Sequence, residues 1–505
     1  MGISCKRNSR TEQVQRDKSC ACNLFARHCF VPLLLQEKDL LLEKLLNKVL
    51  IFSKNSITIE LKVGGQSALK FKEGDSVNNI IKRDSYLQKV IDKKENGAIK
   101  VITGIRRCGK SFLLFNLFYD YLIENGVKEE QIITIALDDD LYVDYRNPDE
   151  LSKYIRSRIT NKDMYYILID EVQYAISKEE LKSPDNIKLY NVLNGLLRLR
   201  NVDIYVTGSN SKMLTKDVLT AFRGRGDEIR VYPISFKEYY EFKGGDKADA
   251  YEEYALYGGM PLALFRKSDA EKMDYLRNLF TEVYFKDITE RYEIELPEVL
   301  ENLTDDLCSS IGSLTNSTKI ANTLTTVKDI SVSSNTISKY LNYLIESFLF
   351  NDAKRFDVKG KKYFEYPLKY YCTDIGLRNA RLNFRQQEET HIMENIIYNE
   401  LLSRGYSVDV GVVEITERID GKRTKKQCEI DFVVNFGAKK YYIQSALNVS
   451  DPQKMETELR PFKHTKDFFK KIIVSKTNMK SWTDEEGVLH IGLYEFLLNN
   501  NSLEL

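Results

Sequence analysis

Val101-Ile-Thr-Gly104-Ile-Arg-Arg-Cys-Gly109-Lys110-Ser111 is the stretch whose reading decides the fold. Ahead of it, Ile99 to Thr103 is a short apolar run with the length of a strand. Behind it, Phe112 to Ile123 has the length and apolar content of a helix. The pattern G-x-x-x-x-G-K-[ST] between them turns consecutive backbone N–H groups toward an anion at a helix N-terminus. In that geometry Lys110 reaches the β and γ phosphates of a nucleoside triphosphate, and the Ser111 hydroxyl holds Mg²⁺. Gly104, Ile105, Arg106, Arg107, Cys108, Gly109, Lys110, Ser111 and Phe112 are therefore the expected nucleotide-binding residues.

Three further apolar runs have the same character. Gln131 to Asp138 ends in acid, Tyr165-Tyr-Ile-Leu-Ile-Asp170-Glu171 is closed by two carboxylates, and Val202 to Thr207 leads into Gly208-Ser209-Asn210. Uninterrupted runs of this kind read as parallel strands buried on both faces, and ligands bind at the carboxyl ends of such strands. Asp170 is expected to hold the Mg²⁺ shell with Ser111, and Glu171 to polarise the attacking water. Ser209 or Asn210 would sense the γ-phosphate. Phe222-Arg223-Gly224-Arg225-Gly226 offers guanidinium groups, of which Arg225 is the expected arginine finger, in cis or across the subunit boundary of a homo-oligomer.

At 505 residues the chain is long enough for about three domains of roughly 150 residues each. Lys and Arg number 75 against 74 Asp and Glu, so no global field attracts polyanions, and any contact with nucleic acid must be local. Scattered cysteines such as Cys108, Cys308, Cys372 and Cys428 read as small buried hydrophobes in a reducing compartment. No uncharged apolar run reaches the roughly 18 residues that a spanning helix needs. A cytoplasmic protein without membrane contact is expected. Residues 1–75 read as a poorly ordered extension. Cys20, Cys22, His28 and Cys29 crowd together there, but C-x-C with an adjacent His–Cys fits poorly with the spacing of structural zinc ligands.

The phosphate-loop stretch, together with Leu168-Ile-Asp-Glu-Val-Gln173, Thr207-Gly-Ser-Asn-Ser-Lys212 and Val231-Tyr-Pro-Ile-Ser-Phe236, resembles the AAA-type ATPases of bacteria and archaea. Many of these carry a C-terminal domain of unknown function, of the DUF4143 type, with a degenerate nuclease-like fold. The resemblance implies ATP binding and hydrolysis by Lys110, Ser111, Asp170 and Glu171, with Asn210 or Ser209 at the sensor position. The family pattern usually reads Ser-Gly-Arg where this chain has Arg223-Gly224-Arg225.

Beyond the core, Leu303, Leu307 and Ile311, then Ile320 and Leu324, then Ile337, Leu341, Leu344 and Phe348 mark three helices, with Ser334 as the cap of the third. Asp357 to Lys362 makes a basic turn between two strands. This reads as a winged helix-turn-helix, with Asn335, Thr336, Lys339 and Asn342 outward toward DNA or a protein client. In the last segment Glu394 lies on a helix, Glu429 and Asp431 on a strand, and Gln444 and Ala446 on the next. That is the layout of PD-(D/E)XK nucleases, with Gln444 in place of an acid and Ala446 in place of the lysine. Lys439 and Lys440 precede the strand. A nuclease-like fold with little or no cleavage is expected.

The expected fold class is α/β. A P-loop NTPase parallel sheet with helices on both faces (76–245) is followed by a helical subdomain (246–300) and a winged-helix region (301–374). A C-terminal α/β restriction-endonuclease-like domain (375–505) ends the chain.

Overall fold

Ile57, Ile59, Leu61 and Val63 alternate with polar residues, the period-two pattern of a strand. They lie in β2 (Ser56–Val63), between β1 (Leu50–Ser53) and β3 (Gln66–Lys72), in an antiparallel three-stranded sheet. The computed structural model describes residues 50–53, 56–63, 66–72, 80–181, 187–209, 224–385, 388–419, 422–449, 451–477 and 479–505. The chain divides into two units, Met1–Ile80 and Ile81–Leu505. Regular strands thus stand in part of the stretch read as a poorly ordered extension. Its cysteine–histidine cluster lies outside the described residues.

The second unit opens with α1 (Asp84–Asp92) and a five-stranded parallel sheet. Its strands are β4 (Ile99–Thr103), β5 (Ile132–Ala136), β6 (Tyr165–Asp170), β7 (Val202–Gly208) and β8 (Gly226–Arg230), in spatial order β5-β6-β7-β4-β8. Every residue of β4, β6 and β7 is buried, which is why these runs carry no alternation. On one face, Val101, Ile135, Ile167 and Val206 pack against Leu151 and Ile155 of α3 (Pro148–Arg158) and Leu193 of α4 (Lys188–Leu196). On the other, Ile102, Leu168 and Tyr205 meet α2, a helix over residues 110–124 whose middle, Leu113–Phe118, is π-helical. Each fully buried aliphatic side chain here contributes on the order of 1.5–3 kcal/mol.

After the sheet come α5 (Phe236–Lys243), started by the capping box of Ser235 and Glu238, and α6 (Lys247–Tyr257). A long helix over residues 269–291, α7, contains a π-helical segment, Leu279–Phe285. Next are α8 (Pro297–Ser309), α9 (Ser317–Lys328) and α10 (Ser334–Glu346). The cap of α10 is Ser333, not Ser334: its hydroxyl accepts the Thr336 N–H at 3.1 Å. Asn335, Lys339 and Asn342 are exposed on this helix and Thr336 is half-buried. One apolar cluster runs from Leu113, Leu114 and Phe118 of α2 through Leu279 and Phe280 of α7 to Leu303, Leu324 and Leu341.

The remaining strands form one mixed nine-stranded sheet. They are β9 (Leu314–Thr315), β10 (Phe350–Asp357), β11 (Lys362–Cys372), β12 (Ser407–Ile419), β13 (Lys422–Phe436), β14 (Lys439–Ala446), β15 (Lys470–Ser475), β16 (Trp482–Thr483) and β17 (Val488–Gly492). The β10–β11 hairpin, expected to end its own domain at residue 374, is continuous with the C-terminal strands, because β10 pairs in parallel with β12. Helix α11 (Ile375–Arg381) leads to α12 (Glu389–Ser403), whose Ile392, Ile396 and Ile397 pack with Tyr371, Phe432, Ile443 and Ile472. Helix α13 (Pro452–Lys463) covers the other face through Phe462, against Ile430, Tyr442, Ala446 and Ile473. No helix among the described residues is long and apolar enough to cross a membrane.

Candidate functional site

The loop that leaves β4 depends on two glycines. Gly104 has φ +143°, and a Cβ there would overlap the carbonyl oxygen of Val231. Gly109 has φ +101° and forms the left-handed entry to α2. Between them Arg107, at φ +62°, holds a conformation that non-glycine residues adopt reluctantly, a strain that clusters at functional sites. Lys110 is buried, with its ammonium 3.1 Å from the carbonyl oxygens of both Gly104 and Ile105. Cys108 is buried and points its thiol at the Val231 carbonyl.

Pairing in register brings the acidic tip to the same edge. Ile169 of β6 lies opposite Val206 of β7, and Thr103 of β4 opposite Gly208, so Asp170, Thr207 and Gly104 all stand at the carboxyl ends of neighbouring strands. Asp170 is buried. Its Oδ1 accepts the Thr207 hydroxyl, and the Ser111 hydroxyl lies near enough to its carboxylate to favour the charged form. Burial, then the neighbouring Glu171, pushes the Asp170 carboxyl above its ordinary range. Glu171 itself leaves the strand in a left-handed conformation, φ +51° and ψ +51°, and its N–H donates to Thr207 Oγ1 at 3.0 Å. Gln173 donates to Glu171 Oε2 and lies 3.4 Å from Ser209 Oγ, while its buried amide oxygen has no hydrogen-bond partner among the described residues. Ser111 and Asp170 are the two adjacent oxygen donors suited to a hard divalent cation.

The sequence marks Thr207 only as a strand end, yet it links both acids. Asn210 and Arg223 lie outside the described residues. Arg225 is not brought to the loop of its own chain. It is exposed beside Ile99, at the amino end of β4, a strand's length from Gly104 (on the order of 15 Å at roughly 3.3 Å per residue). The parallel pairing of β4 and β8 thus sets Arg225 at the edge of the sheet opposite Gly104.

Residues absent from the sequence reading grip the loop from outside. Arg83 is buried, with Nη2 donating to the Tyr232 carbonyl at 2.7 Å, Nη1 to the Cys108 carbonyl at 3.3 Å and Nε 3.0 Å from Glu238. Tyr284 of α7 donates its hydroxyl to the Arg106 carbonyl at 2.7 Å, and Asp287 pairs with Arg106 at 3.3 Å. The segment Gly258–Pro261 lies beside the loop as well, since a Cβ added to Gly109 would come within 3.9 Å of the Pro261 ring. Asp374 in turn accepts the Gly259 N–H at 2.7 Å and caps α11 at Leu377, 3.0 Å away.

Burial raises the Asp374 carboxyl to about 6, against the backbone hydrogen bonds that lower it. An unfolded aspartate releases its proton near 3.8, so between these values the folded state binds more protons, and stability falls as pH rises through that window. An Asp374→Asn variant, neutral throughout, should gain on the wild-type protein by about 3 kcal/mol between about pH 4 and pH 7. Urea unfolding across that range measures the difference; two parallel profiles would refute the assignment.

The C-terminal acids are gathered, but around a lysine. Lys369 of β11 is buried, 2.9 Å from Glu394 Oε1 and 2.7 Å from Glu429 Oε1, and Tyr371 donates to the same Glu394 oxygen at 2.6 Å. Asp431 accepts the Ser445 N–H at 2.8 Å; burial and then Glu394 hold its carboxyl well above the ordinary range. Gln444, standing where the nuclease layout has an acid, gives its oxygen to the Asp431 N–H at 2.7 Å and donates to Glu458 at 3.0 Å. Ala446 packs under α13 with Phe462. Lys439 pairs instead with Glu504. Among the described residues no group of three or more His, Cys, Asp or Glu side chains is arranged to hold a metal ion.

Comparison with known proteins bears on the same regions. Residues 96–240 match the family model described as an AAA domain. Residues 248–388 match a domain of unknown function, DUF8612, which replaces the DUF4143 type expected from the sequence. An uncharacterized protein of Haemophilus influenzae is 32% identical over 425 residues, covering 83% of this chain and 99% of its own. The uncharacterized protein MJ1544 of Methanocaldococcus jannaschii is 27% identical over 425 residues, covering 81% of this chain and 86% of its own. Among solved structures, Cdc6p from Pyrobaculum aerophilum is 12% identical at a TM-score of 0.26, over 64% of this chain and 96% of that one, a likeness too slight to bear on function. With its phosphate-loop sheet inside the AAA match and nearly the whole Haemophilus influenzae relative aligned to it, the chain belongs to that relative's family of AAA-type P-loop proteins with a second domain of unknown function.

Proposed function

We propose that this protein binds ATP with Mg²⁺ at Gly104–Ser111, hydrolyses it with Asp170 and Glu171, and passes the nucleotide state to its C-terminal half. The observation that carries this reading is the convergence of Lys110, Ser111, Asp170, Glu171 and Thr207 at the carboxyl edge of β4, β6 and β7. Ser111 and Asp170 would hold the cation, which supplies charge neutralisation at the phosphates. Lys110 stabilises charge developing on the terminal phosphate oxygens. Glu171, fixed through Thr207 and Gln173, orients a water and takes up its proton. Arg225, exposed at the opposite edge, is suited to the site of a neighbouring copy, so a homo-oligomer accompanies that role. Titration calorimetry with ATP and Mg²⁺ is expected to show saturable binding, followed by phosphate release; absence of heat from ATP would end this reading.

A second reading concerns the C-terminal half. Exposed Asn335, Lys339 and Asn342 on α10, with exposed Lys361, Lys362, Tyr363 and Tyr366 on the β10–β11 hairpin, support a DNA contact made by a winged helix. The nuclease-like layout of Glu394, Glu429 and Asp431 is closed by Lys369, which supports gripping without cutting. Phosphate release measured with and without double-stranded DNA separates the client classes: stimulation favours DNA, and an unchanged rate favours a protein client.

A further inference from the structure

A trans peptide is planar, with its C=O and the following N–H on opposite sides. Whatever holds a loop carbonyl outward therefore aims the next residue's N–H inward. Two carbonyls of the phosphate loop are held in this way by side chains from distant parts of the chain. The Tyr284 hydroxyl binds the Arg106 carbonyl at 2.7 Å, and the Arg83 guanidinium binds the Cys108 carbonyl at 3.3 Å while anchored to the Tyr232 carbonyl at 2.7 Å and to Glu238 at 3.0 Å. The N–H groups on the far sides of these peptides belong to Arg107 and Gly109. Among the described residues neither donates a hydrogen bond.

We infer that Arg83 and Tyr284 are positioning residues for phosphate binding: each fixes one peptide plane so that the Arg107 and Gly109 N–H groups face the anion. The inference rests on the nucleotide reading of the loop and deepens it. The backbone geometry makes such clamps necessary. Arg107 at φ +62° and Gly109 at φ +101° are conformations that a free loop leaves readily, since neither belongs to a strand or a helix interior. Donors already aimed at the anion need no reorganisation when it arrives, so the clamps add affinity without touching the ligand. The same contact ties ligand to helix: Tyr284 and Asp287 both lie on α7 and both hold Arg106, so a shift of α7 frees the Arg106–Arg107 peptide. By linkage, anion binding holds α7 against the loop by an equal free energy.

The test uses full-length protein, with inorganic tripolyphosphate and Mg²⁺ as a probe lacking base and sugar, and ATP beside it. Tyr284→Phe removes one hydroxyl and is expected to weaken tripolyphosphate and ATP binding about five- to tenfold, the scale of one neutral hydrogen bond. KM for ATP should rise by the same factor, with kcat held within about twofold and the melting temperature little changed. Arg83→Met, made together with Glu238→Gln so that no carboxylate is orphaned, should weaken binding at least as much, and Arg83→Lys should restore part of it. The Tyr284→Phe arm decides alone if the Arg83 variants do not fold. Wild-type binding of tripolyphosphate with unchanged affinity in Tyr284→Phe overturns this inference and leaves the site reading standing. A wild-type protein that binds neither probe overturns both.

Discussion

Phosphate release from ATP should fall about 10²–10³-fold or more in a Lys110→Ala variant, the scale of removing one preorganised group that meets developing charge. The ammonium is buried in the mouth of the loop and bonded to two of its carbonyls, at 3.1 Å each. Gly104 is closely packed against Val231 independently of the lysine. Alanine is the strongest helix former and stands at the first residue of α2, so folding should survive the change. Circular dichroism checks the fold and a coupled phosphate assay the rate. Undiminished release would take Lys110, and with it the loop, out of the chemistry.

A larger effect on stability is expected at the other end of the molecule. Lys369→Met should destabilise the second unit by about 3–5 kcal/mol, because it leaves the buried Glu394, with half-buried Glu429 beside it, without its cation. Burial lowers the Lys369 ammonium, but Glu394, Asp431 and Glu429 together raise it above its ordinary value, so the charge is held firmly at neutral pH. Without it, Asp431, whose carboxyl burial raises and Lys369 holds down, keeps its proton more firmly. The folded variant then binds more protons than the unfolded chain, and its deficit should shrink as pH falls from about 7 to about 5. Adding Glu394→Gln should recover part of the loss. Urea unfolding at the two pH values measures all three effects, and a variant as stable as the parent would show that the acids do not depend on Lys369.

The two sites were legible to different degrees for one physical reason. The phosphate loop is local. Its glycines, lysine and serine sit within eight residues, and the buried runs Tyr165–Asp170 and Val202–Gly208 announce themselves by lacking alternation. Asp170 and Glu171 follow from the end of such a run. The lysine of the C-terminal cluster is not local. It comes from β11, a strand assigned by pattern to a separate domain, and reaches Glu394 only because β10 pairs with β12 and makes the two regions one sheet. Its only local trace is a lysine between Leu368 and Tyr370 at the buried end of a strand.

Short-range chemistry, then, was written along the chain: backbone conformations that only glycine takes easily, a helix start that carries a lysine and a serine, strand ends that carry acid. Long-range pairing decided the rest. It put Arg225 at the edge opposite its own loop, set Thr207 between two carboxylates, brought Arg83 and Tyr284 onto loop carbonyls, and filled an acidic centre with an ammonium. Periodicity names the face on which a side chain lies; which residue meets it there depends on strand order and helix packing, settled only when separate segments exclude water together.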